Sequence, residues 1–187
     1  FWMGSPSIFP TGVTIYKPEK CFNGYTLFPA CDTGALLINM NGGEVKLWSK
    51  LKGFPNKLLP GGQVFGSRGE RNDKYGYQDM NDLIQVDWDG NIVWEFNKHE
   101  FIEDPGETPQ WMARQHHDYQ RQGNPVGYYV PGMECQTSSG NTLILTHENC
   151  YNQRISEKRL CDDVFLEVDW EGNIVWQWHA NEHFKEI

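Results

Sequence analysis

Apolar and polar residues alternate with a period of two along several short segments of this chain. In DLIQVDW (82–88), every second residue from Ile84 to Trp88 is large and apolar. Such alternation predicts a β-strand with one well-buried face. Asp89-Gly90 follows, and both residues tolerate the positive φ angles of a tight turn. Because 92–96 alternates again, the whole segment predicts a β-hairpin.

The sequence of this hairpin recurs along the chain. VDWDGNIVWEF (86–96) and VDWEGNIVWQW (168–178) are identical at eight of eleven positions, and LLINMNGGEVKLW (36–48) is a degraded copy. A glycine-led apolar strand is predicted before each hairpin, at 24–30, 62–67 and 140–146. A first strand is predicted before each of those, at 13–18, 56–60 and 115–120. Four short strands recurring three times are typical of propeller blades.

The predicted fold class is therefore all-β, a β-propeller with little helix. Three blades are expected at about 12–50, 55–98 and 112–179, and the recurring tryptophans are predicted to lie in the core. The segments 97–114 and 121–139 carry no hairpin pattern and are interpreted as insertions. The best candidate for a helix is 179–187.

Three blades would not close a propeller, since propellers have about four to eight. Residues 1–187 are therefore expected to form roughly half of a single β-propeller domain. The remaining blades are expected either elsewhere in the protein or on a second polypeptide.

Charge and hydropathy exclude two classes of partner. The net charge is −9, from 16 Lys plus Arg against 25 Asp plus Glu. Nucleic-acid binding depends on clustered cations, so no nucleic-acid partner is predicted. No stretch approaches the roughly 18 consecutive apolar residues of a membrane-spanning helix, so no membrane span is predicted.

The five cysteines leave two interpretations open. They show no CxxC pair and no zinc-like spacing. Most of them are either buried thiols that act as small hydrophobes, or partners in one or two disulfides. The disulfide interpretation pairs Cys21 with Cys31, or joins two of Cys135, Cys150 and Cys161.

One histidine pair lies in a predicted strand. In QHHDYQRQ, strand alternation predicts that His116 and His117 point to opposite faces, one toward the central channel and the other between blades. Asp118 could orient an imidazole, and Arg121 adds a cation. The alternative is ordinary packing between blades.

Two further histidine groups follow apolar strands. His147 directly follows such a run, where a blade strand would direct it to the channel mouth; the alternative is a hydrogen bond at a loop end. His179, Glu182 and His183 match the H-x-x-E-H zinc pattern, which requires a helix. Since this short pattern follows a strand directly, these three residues are metal candidates on pattern alone.

Several long runs resemble the arylsulfotransferase family of aryl-sulfate sulfotransferases. They are PNKLLPGGQVFGSRG (55–69), the two closely matching hairpins, WMARQHHDYQRQGNPVGYYVPG (111–132) and GNTLILTHENC (140–150). The resemblance runs from about residue 12 to the end and corresponds to the N-terminal half of the family. It implies a six-bladed β-propeller.

The resemblance also implies a reaction. A sulfuryl group passes from an aryl sulfate to a phenol without a nucleotide donor, through a sulfohistidine intermediate, in a ping-pong mechanism. It implies that His116 or His117 helps to hold the sulfate, with His147 in a similar place. With the cation of Arg121, the predicted catalytic residues are His116, His117, His147 and Arg121. The family's nucleophilic histidine and principal arginine lie in later blades. No cofactor is predicted, and a secreted or periplasmic location is expected.

Two other functions remain open at this point. The chain could be a non-catalytic β-propeller subunit that binds a partner or supports a larger assembly. The other hypothesis is a metal-dependent hydrolase, which predicts one bound zinc or other transition-metal ion per chain.

Overall fold

A computed structural model describes residues 12–30, 32–69, 79–123, 134 and 136–185. Within these ranges the chain is all-β, as predicted, with thirteen strands in antiparallel sheets. In chain order the strands are β1 (Tyr25–Ala30), β2 (Gly34–Asn39), β3 (Glu44–Trp48), β4 (Lys57–Leu59), β5 (Gln63–Gly66), β6 (Leu83–Val86), β7 (Ile92–Phe96), β8 (Glu100–Ile102), β9 (Gln110–Met112), β10 (Gln115–Arg121), β11 (Thr142–Cys150), β12 (Leu160–Val168) and β13 (Ile174–His179).

The strands form three meandering sheets and one small hairpin. Sheet 1 contains β1–β3, sheet 2 contains β4–β7 and sheet 3 contains β10–β13, each in chain order. The three predicted hairpins are confirmed as β2–β3, β6–β7 and β12–β13. Each of them has an irregular register next to its turn.

The predicted first strand of the first unit is wrong. Residues 13–17 have no regular structure, and Pro18–Lys20 forms a 3-10 turn. Proline lacks an N–H for a strand ladder, and its fixed φ suits the first position of a helical turn. Sheet 1 therefore has three strands, whereas the other two sheets have the expected four.

The segment 97–114 contains a hairpin that the sequence pattern did not predict. Strands β8 and β9 pair there, and Phe101 meets Trp111 edge to face at 5.7 Å. Only three residues pair on each side, which is too few to produce a clear alternation. Most of the other proposed insertion, 121–139, lies outside the described residues.

The predicted C-terminal helix reduces to a single 3-10 turn at Ala180–His183. No helix among the described residues is long and apolar enough to cross a membrane.

The loop of the β6–β7 hairpin is held by the side chain of Asp87. Its carboxylate accepts hydrogen bonds from Asn91 N at 2.8 Å and from Asn91 Nδ2 at 2.9 Å. Gly90 has a φ of 84°, a conformation that glycine adopts without strain. Asp169 and Asn173 make the same two bonds in the β12–β13 loop, at 2.7 and 3.0 Å. The repeated D-x-x-G-N letters therefore specify one loop conformation.

These loops make stability depend on acid pH. The side chains and then the backbone amides of Asn91 and Asn173 lower the pKa of Asp87 and Asp169. A carboxyl with a lowered folded pKa stabilises the fold above its unfolded pKa, and this contribution is lost as the pH falls through the folded value. We expect the double variant Asp87→Asn/Asp169→Asn to lose less stability below about pH 4 than the parent protein does.

Urea unfolding midpoints measured between neutral and acid pH check this expectation. Sheet 1 shows that asparagine fits such a loop, since Asn39 Oδ1 accepts a hydrogen bond from Gly43 N at 2.9 Å. Parallel pH profiles for variant and parent would contradict the assignment.

The sheets stack face to face around two cores. One core joins sheets 1 and 2, and its buried residues are Ala35, Leu37, Trp48, Leu51, Val64, Ile84 and Val86. The other core joins sheets 2 and 3, and its buried residues are Leu59, Phe65, Leu83, Trp94, Phe96, Ala113, Tyr119, Ile144, Val164, Leu166 and Val168. Sheet 2 is covered on both faces, so all of β6 is buried rather than only the one predicted face.

Tryptophan side chains connect each sheet to the loop of the next. Trp48 Nε1 donates to Asp87 O at 3.0 Å, and Trp94 Nε1 donates to Trp170 O at 2.8 Å. The core prediction holds for Trp48 and Trp94, but it is wrong for Trp88 and Trp176, which are 41% and 47% exposed. No described sheet packs against that side of sheet 3. We call this surface, with Leu143, Phe165 and Trp176 exposed on it, the outer face of sheet 3.

The described cysteines are free thiols. Cys21 and Cys161 are exposed and Cys150 is half-buried, so the prediction of mostly buried thiols is wrong for these three. Cys150 pairs with Leu160, the residue next to Cys161, so the two cysteines of this hairpin point to opposite faces and form no disulfide. The other predicted partners, Cys31 and Cys135, lie outside the described residues.

Candidate functional site

An irregularity at the start of β10 builds the candidate site. Gln115 pairs with Thr146 and Tyr119 with Ile144, so the step of four residues on β10 faces a step of two on β11. His117 has a φ of 59° and Arg114 a φ of 52°, both in the left-handed region. Bulges of this kind redirect side chains and often occur beside functional sites.

The bulge brings the two adjacent histidines together. His116 Nδ1 lies 3.1 Å from His117 Nδ1, and the rings meet edge to face. Regular alternation would have sent them to opposite faces, so that prediction is wrong. His116 is 5% exposed, whereas His117 is exposed to solvent.

His147 and Asp163 complete the group from the neighbouring strands. They are direct cross-strand partners on β11 and β12 and therefore share a face of sheet 3. The His116 and His147 rings stack, with centroids 3.8 Å apart and planes 19° apart. Asp163 Oδ1 lies 3.2 Å from His116 Nε2 and 3.5 Å from His147 Nε2. We call His116, His117, His147 and Asp163 the histidine cluster.

Burial keeps the stacked imidazoles neutral near neutral pH. Loss of solvation, followed by repulsion from His147, lowers the pKa of His116 to about 4. Burial is also the largest cause of the lowered pKa of His147. A neutral imidazole has a free lone pair on one ring nitrogen, which can attack an electrophile or bind a metal ion.

A buried arginine lies beneath the cluster. Arg114 Nε is 2.5 Å from Asp79 Oδ2, and Arg114 Nη1 is 2.5 Å from Glu100 Oε2. Asp79 Oδ2 is also 3.9 Å from His147 Nδ1. Arg114 thus neutralises two carboxylates behind the histidines.

A second polar group lies at the same end of sheet 3. His99 Nε2 is 3.7 Å from Glu148 Oε2, and His179 Nδ1 is 3.9 Å from the same oxygen. Burial and then the charge of Arg114 lower the pKa of His99 to about 4. The sequence pattern assigned no role to His99, because it is an isolated residue in a segment interpreted as an insertion.

The H-x-x-E-H residues do not converge on a common site. His179 ends β13, Glu182 is exposed in the 3-10 turn, and His183 stacks on Trp178 with centroids 4.8 Å apart. A strand end followed by one 3-10 turn does not place both imidazoles on one face, as a helix would. Among the described residues, the group with metal-compatible geometry is His116, His147 and Asp163.

Arg121 is separated from the cluster, at the opposite end of β10. Its guanidinium carbon lies 4.7–4.8 Å from the ring centroids of Phe65, Trp94 and Trp170. Its Nε donates to Thr142 Oγ1 at 2.8 Å. Burial lowers the pKa of Arg121 to about 10, so it remains charged at neutral pH and cross-links sheets 2 and 3.

The sequence suggested that Asp118 could orient an imidazole, but the carboxylate that lies beside the histidines is that of Asp163. The Asp118 carboxylate instead pairs with Lys57 and accepts a hydrogen bond from Tyr119 N at 2.8 Å. One feature of the local sequence could have pointed to Asp163: it is an acidic residue inside a strand whose apolar residues otherwise alternate. Its partnership with His147 depends on the β11–β12 register, which local sequence does not determine.

Comparison with known proteins identifies no relative. No family model, no curated protein and no solved structure matches this chain.

Proposed function

We propose that this chain is part of an arylsulfotransferase-like β-propeller protein that transfers a sulfuryl group between phenolic compounds without a nucleotide donor. The observation that carries the proposal is the stacked pair of neutral imidazoles, His116 and His147, at one end of sheet 3. The runs that resemble the arylsulfotransferase family support it as well.

The stacking of the sheets supports the propeller. Sheets 1, 2 and 3 follow chain order, and each is joined to the next by an apolar core and a tryptophan hydrogen bond. Repeats of this type bury their faces against neighbours. A further blade would cover the outer face of sheet 3.

In the proposed reaction, His147 accepts the sulfuryl group, in place of the later-blade histidine that the resemblance implies. A neutral ring nitrogen attacks sulfur, the N–S bond forms, the ester S–O bond breaks and the first phenol leaves. The leaving group is a phenolate, and a second phenol gives its proton to this phenolate through solvent. The second phenol's oxygen then attacks sulfur, so the new S–O bond forms as the N–S bond to the imidazole breaks. His147 is more accessible than His116, with side-chain exposures of 20% and 6%. Asp163 and Asp79 stabilise the positive charge that develops on the ring.

An apolar surface beside His147 suits the aryl ring of the donor. Leu143 and Leu145 alternate with His147 along β11, and Phe165 lies two residues from Asp163 on β12, so all of them share one face. A shallow hollow lies between Leu143, Leu145 and Phe165. A phenyl ring held in this hollow, between sheet 3 and the blade expected to cover it, would place its sulfate ester toward the histidine cluster.

Neither Arg114 nor Arg121 supplies the positive charge that a sulfuryl group requires. Arg114 is paired with Asp79 and Glu100, and Arg121 lies between aromatic rings. Asp163, whose side chain is 59% exposed, would repel an anionic ligand. The proposed enzyme therefore needs another cation close to the cluster.

A transfer assay tests this function. With 4-nitrophenyl sulfate as donor, we expect release of 4-nitrophenolate that depends on added phenol. We also expect a gain of one SO3 group in a mass spectrum of the intact chain, and His147→Ala should abolish this gain. His147→Ala should lower the rate at least about 100-fold. His183→Ala, which removes a histidine outside the cluster, should leave it unchanged. Equal losses of rate in the two variants, or release of 4-nitrophenolate that does not depend on phenol, would reject the proposal.

A non-catalytic binding or structural subunit is the second candidate. The outer face of sheet 3 favours it, because Phe165 and Trp176 are 37% and 47% exposed on a surface whose counterpart in sheet 2 is buried. A folded protein that binds a partner through this face and transfers no sulfuryl group would support this candidate.

A further inference from the structure

We infer that His116, His147 and Asp163 form a binding site for a divalent transition-metal ion, and Zn2+ is the ion used to test it. Three features support the site: the spacing of the ligand atoms, the hydrogen bonding of the His116 ring nitrogens and the negative charge of Asp163. None of these depends on sulfuryl transfer.

The distances from the Asp163 oxygen to the two histidine nitrogens match the ligand spacing of a tetrahedral metal centre. Zinc binds imidazole nitrogen and carboxylate oxygen at about 2.0–2.2 Å, which separates tetrahedral ligands by about 3.3 Å. Asp163 Oδ1 lies 3.2 Å from His116 Nε2 and 3.5 Å from His147 Nε2. All three atoms lie within 4.8 Å of one another. The two rings are stacked, so one ion can reach all three ligands once the rings tilt and direct their in-plane lone pairs at it.

The buried nitrogen of His116 points into this space without a hydrogen-bond partner. His116 is 5% exposed, and its Nε2 makes no hydrogen bond in spite of the nearby Asp163 oxygen. Its other nitrogen, Nδ1, contacts His117 Nδ1 at 3.1 Å. When His116 donates its Nδ1 proton to His117, the Nε2 lone pair faces a carboxylate oxygen. A cation between these two electron-rich atoms removes the repulsion.

The surrounding residues give the site the outer contacts that metal ligands usually have. Metal-bound histidines are oriented by a partner at their second nitrogen. For His116, the partner at the second nitrogen is His117. For His147, the Asp79 carboxylate lies 3.9 Å from the second nitrogen, Nδ1. Among the described residues, Asp163 has ion-pair contacts only with the two histidines. Its negative charge is thus available to a cation.

The donor set indicates the class of metal. Two imidazoles and one carboxylate suit Zn2+ and the other borderline first-row divalent ions, whereas Ca2+ and Mg2+ prefer oxygen ligands alone. Three protein ligands leave the fourth tetrahedral position open, as in catalytic zinc sites. An ion held by His147 would occupy the lone pair that attacks sulfur in the proposed reaction, so bound zinc is expected to inhibit the transfer. This one consequence rests on the proposed function.

Zinc titration of the full chain, after removal of metals with a chelator, tests the inference. We expect one Zn2+ per chain by calorimetry and elemental analysis, and a higher melting temperature with zinc. Asp163→Asn and His147→Ala should each weaken binding at least about 100-fold, since loss of an outer-shell partner alone costs about 10–100-fold. The matched control His183→Ala should bind zinc as the parent protein does.

Several outcomes would overturn the metal site. They are a folded parent protein that takes up no stoichiometric zinc, and equal weakening by Asp163→Asn and His183→Ala. Asp163 is exposed, so Asp163→Asn is expected to fold, and circular dichroism checks this. Zinc binding by a chain that transfers no sulfuryl group even after removal of metal would reject only the proposed function. Transfer activity that survives complete removal of metal, in a chain that binds no zinc, would reject only the metal site.

Discussion

Trp94→Ala is expected to lower the free energy of unfolding by about 3–5 kcal/mol, the range for removing a large buried aromatic side chain. Trp94 is 5% exposed within the core between sheets 2 and 3. Its indole also donates a hydrogen bond to Trp170 O at 2.8 Å, across the two sheets. Alanine would leave a cavity and an unpaired carbonyl at the same place.

The chain contains a matched control for this change. Trp176 occupies the same register position in sheet 3, opposite Glu167, as Trp94 does in sheet 2, opposite Gln85. Because Trp176 is 47% exposed, Trp176→Ala is expected to cost less than about 1 kcal/mol. Urea unfolding of both variants measures the difference.

The comparison also tests what covers sheet 3. Equal and large losses for both tryptophans would mean that Trp176 is buried against something in solution, either a further sheet or a partner. Equal and small losses would contradict the packing of sheet 2 on sheet 3.

Arg114→Met is also expected to cost about 3–5 kcal/mol, the range for breaking a buried ion pair by removing one partner. The arginine side chain is fully buried, as is that of Asp79, and Glu100 is partly buried. Methionine has a similar length but no charge, so at least one carboxylate would remain buried beside it without its main counter-charge.

Arg68 provides the control for this prediction. It also pairs with two carboxylates, Asp82 and Glu95, but its side chain is 45% exposed. Arg68→Met is therefore expected to cost less than Arg114→Met does. Asp82 is buried, but it also accepts hydrogen bonds from Ser67 Oγ at 2.7 Å and from the backbone N–H of residue 68 at 2.9 Å. Chemical denaturation of the two variants gives the comparison. A loss for Arg114→Met no larger than that for Arg68→Met would show that water reaches Asp79 and solvates it.

The loss of Arg114 would also change the histidine cluster. Since the positive charge of Arg114 contributes to the lowered pKa of His147, its removal should raise that pKa. Nuclear magnetic resonance of the histidine ring protons in Arg114→Met would detect this change if the variant folds.

The amino-acid sequence by itself determined the local parts of this protein. The D-x-x-G-N loop needs only contacts between residues at most four positions apart, such as Asp87 with Asn91. Strand periodicity is equally local, and for this reason the three hairpins were predicted close to their observed bounds. The two strands of 97–114 were missed because three paired residues are too few to show a period.

Only the tertiary structure decided what each strand position does. Trp94 and Trp176 have nearly identical neighbours in sequence, yet one is buried and the other exposed, because burial depends on whether another sheet lies on that face. Arg121 appeared to be a catalytic cation, but packing places it between three aromatic rings. The histidine cluster requires the β10 bulge and the pairing of His147 with Asp163, which are set by long-range strand register. That register follows from how the whole sheet buries its faces, a property that no short segment contains.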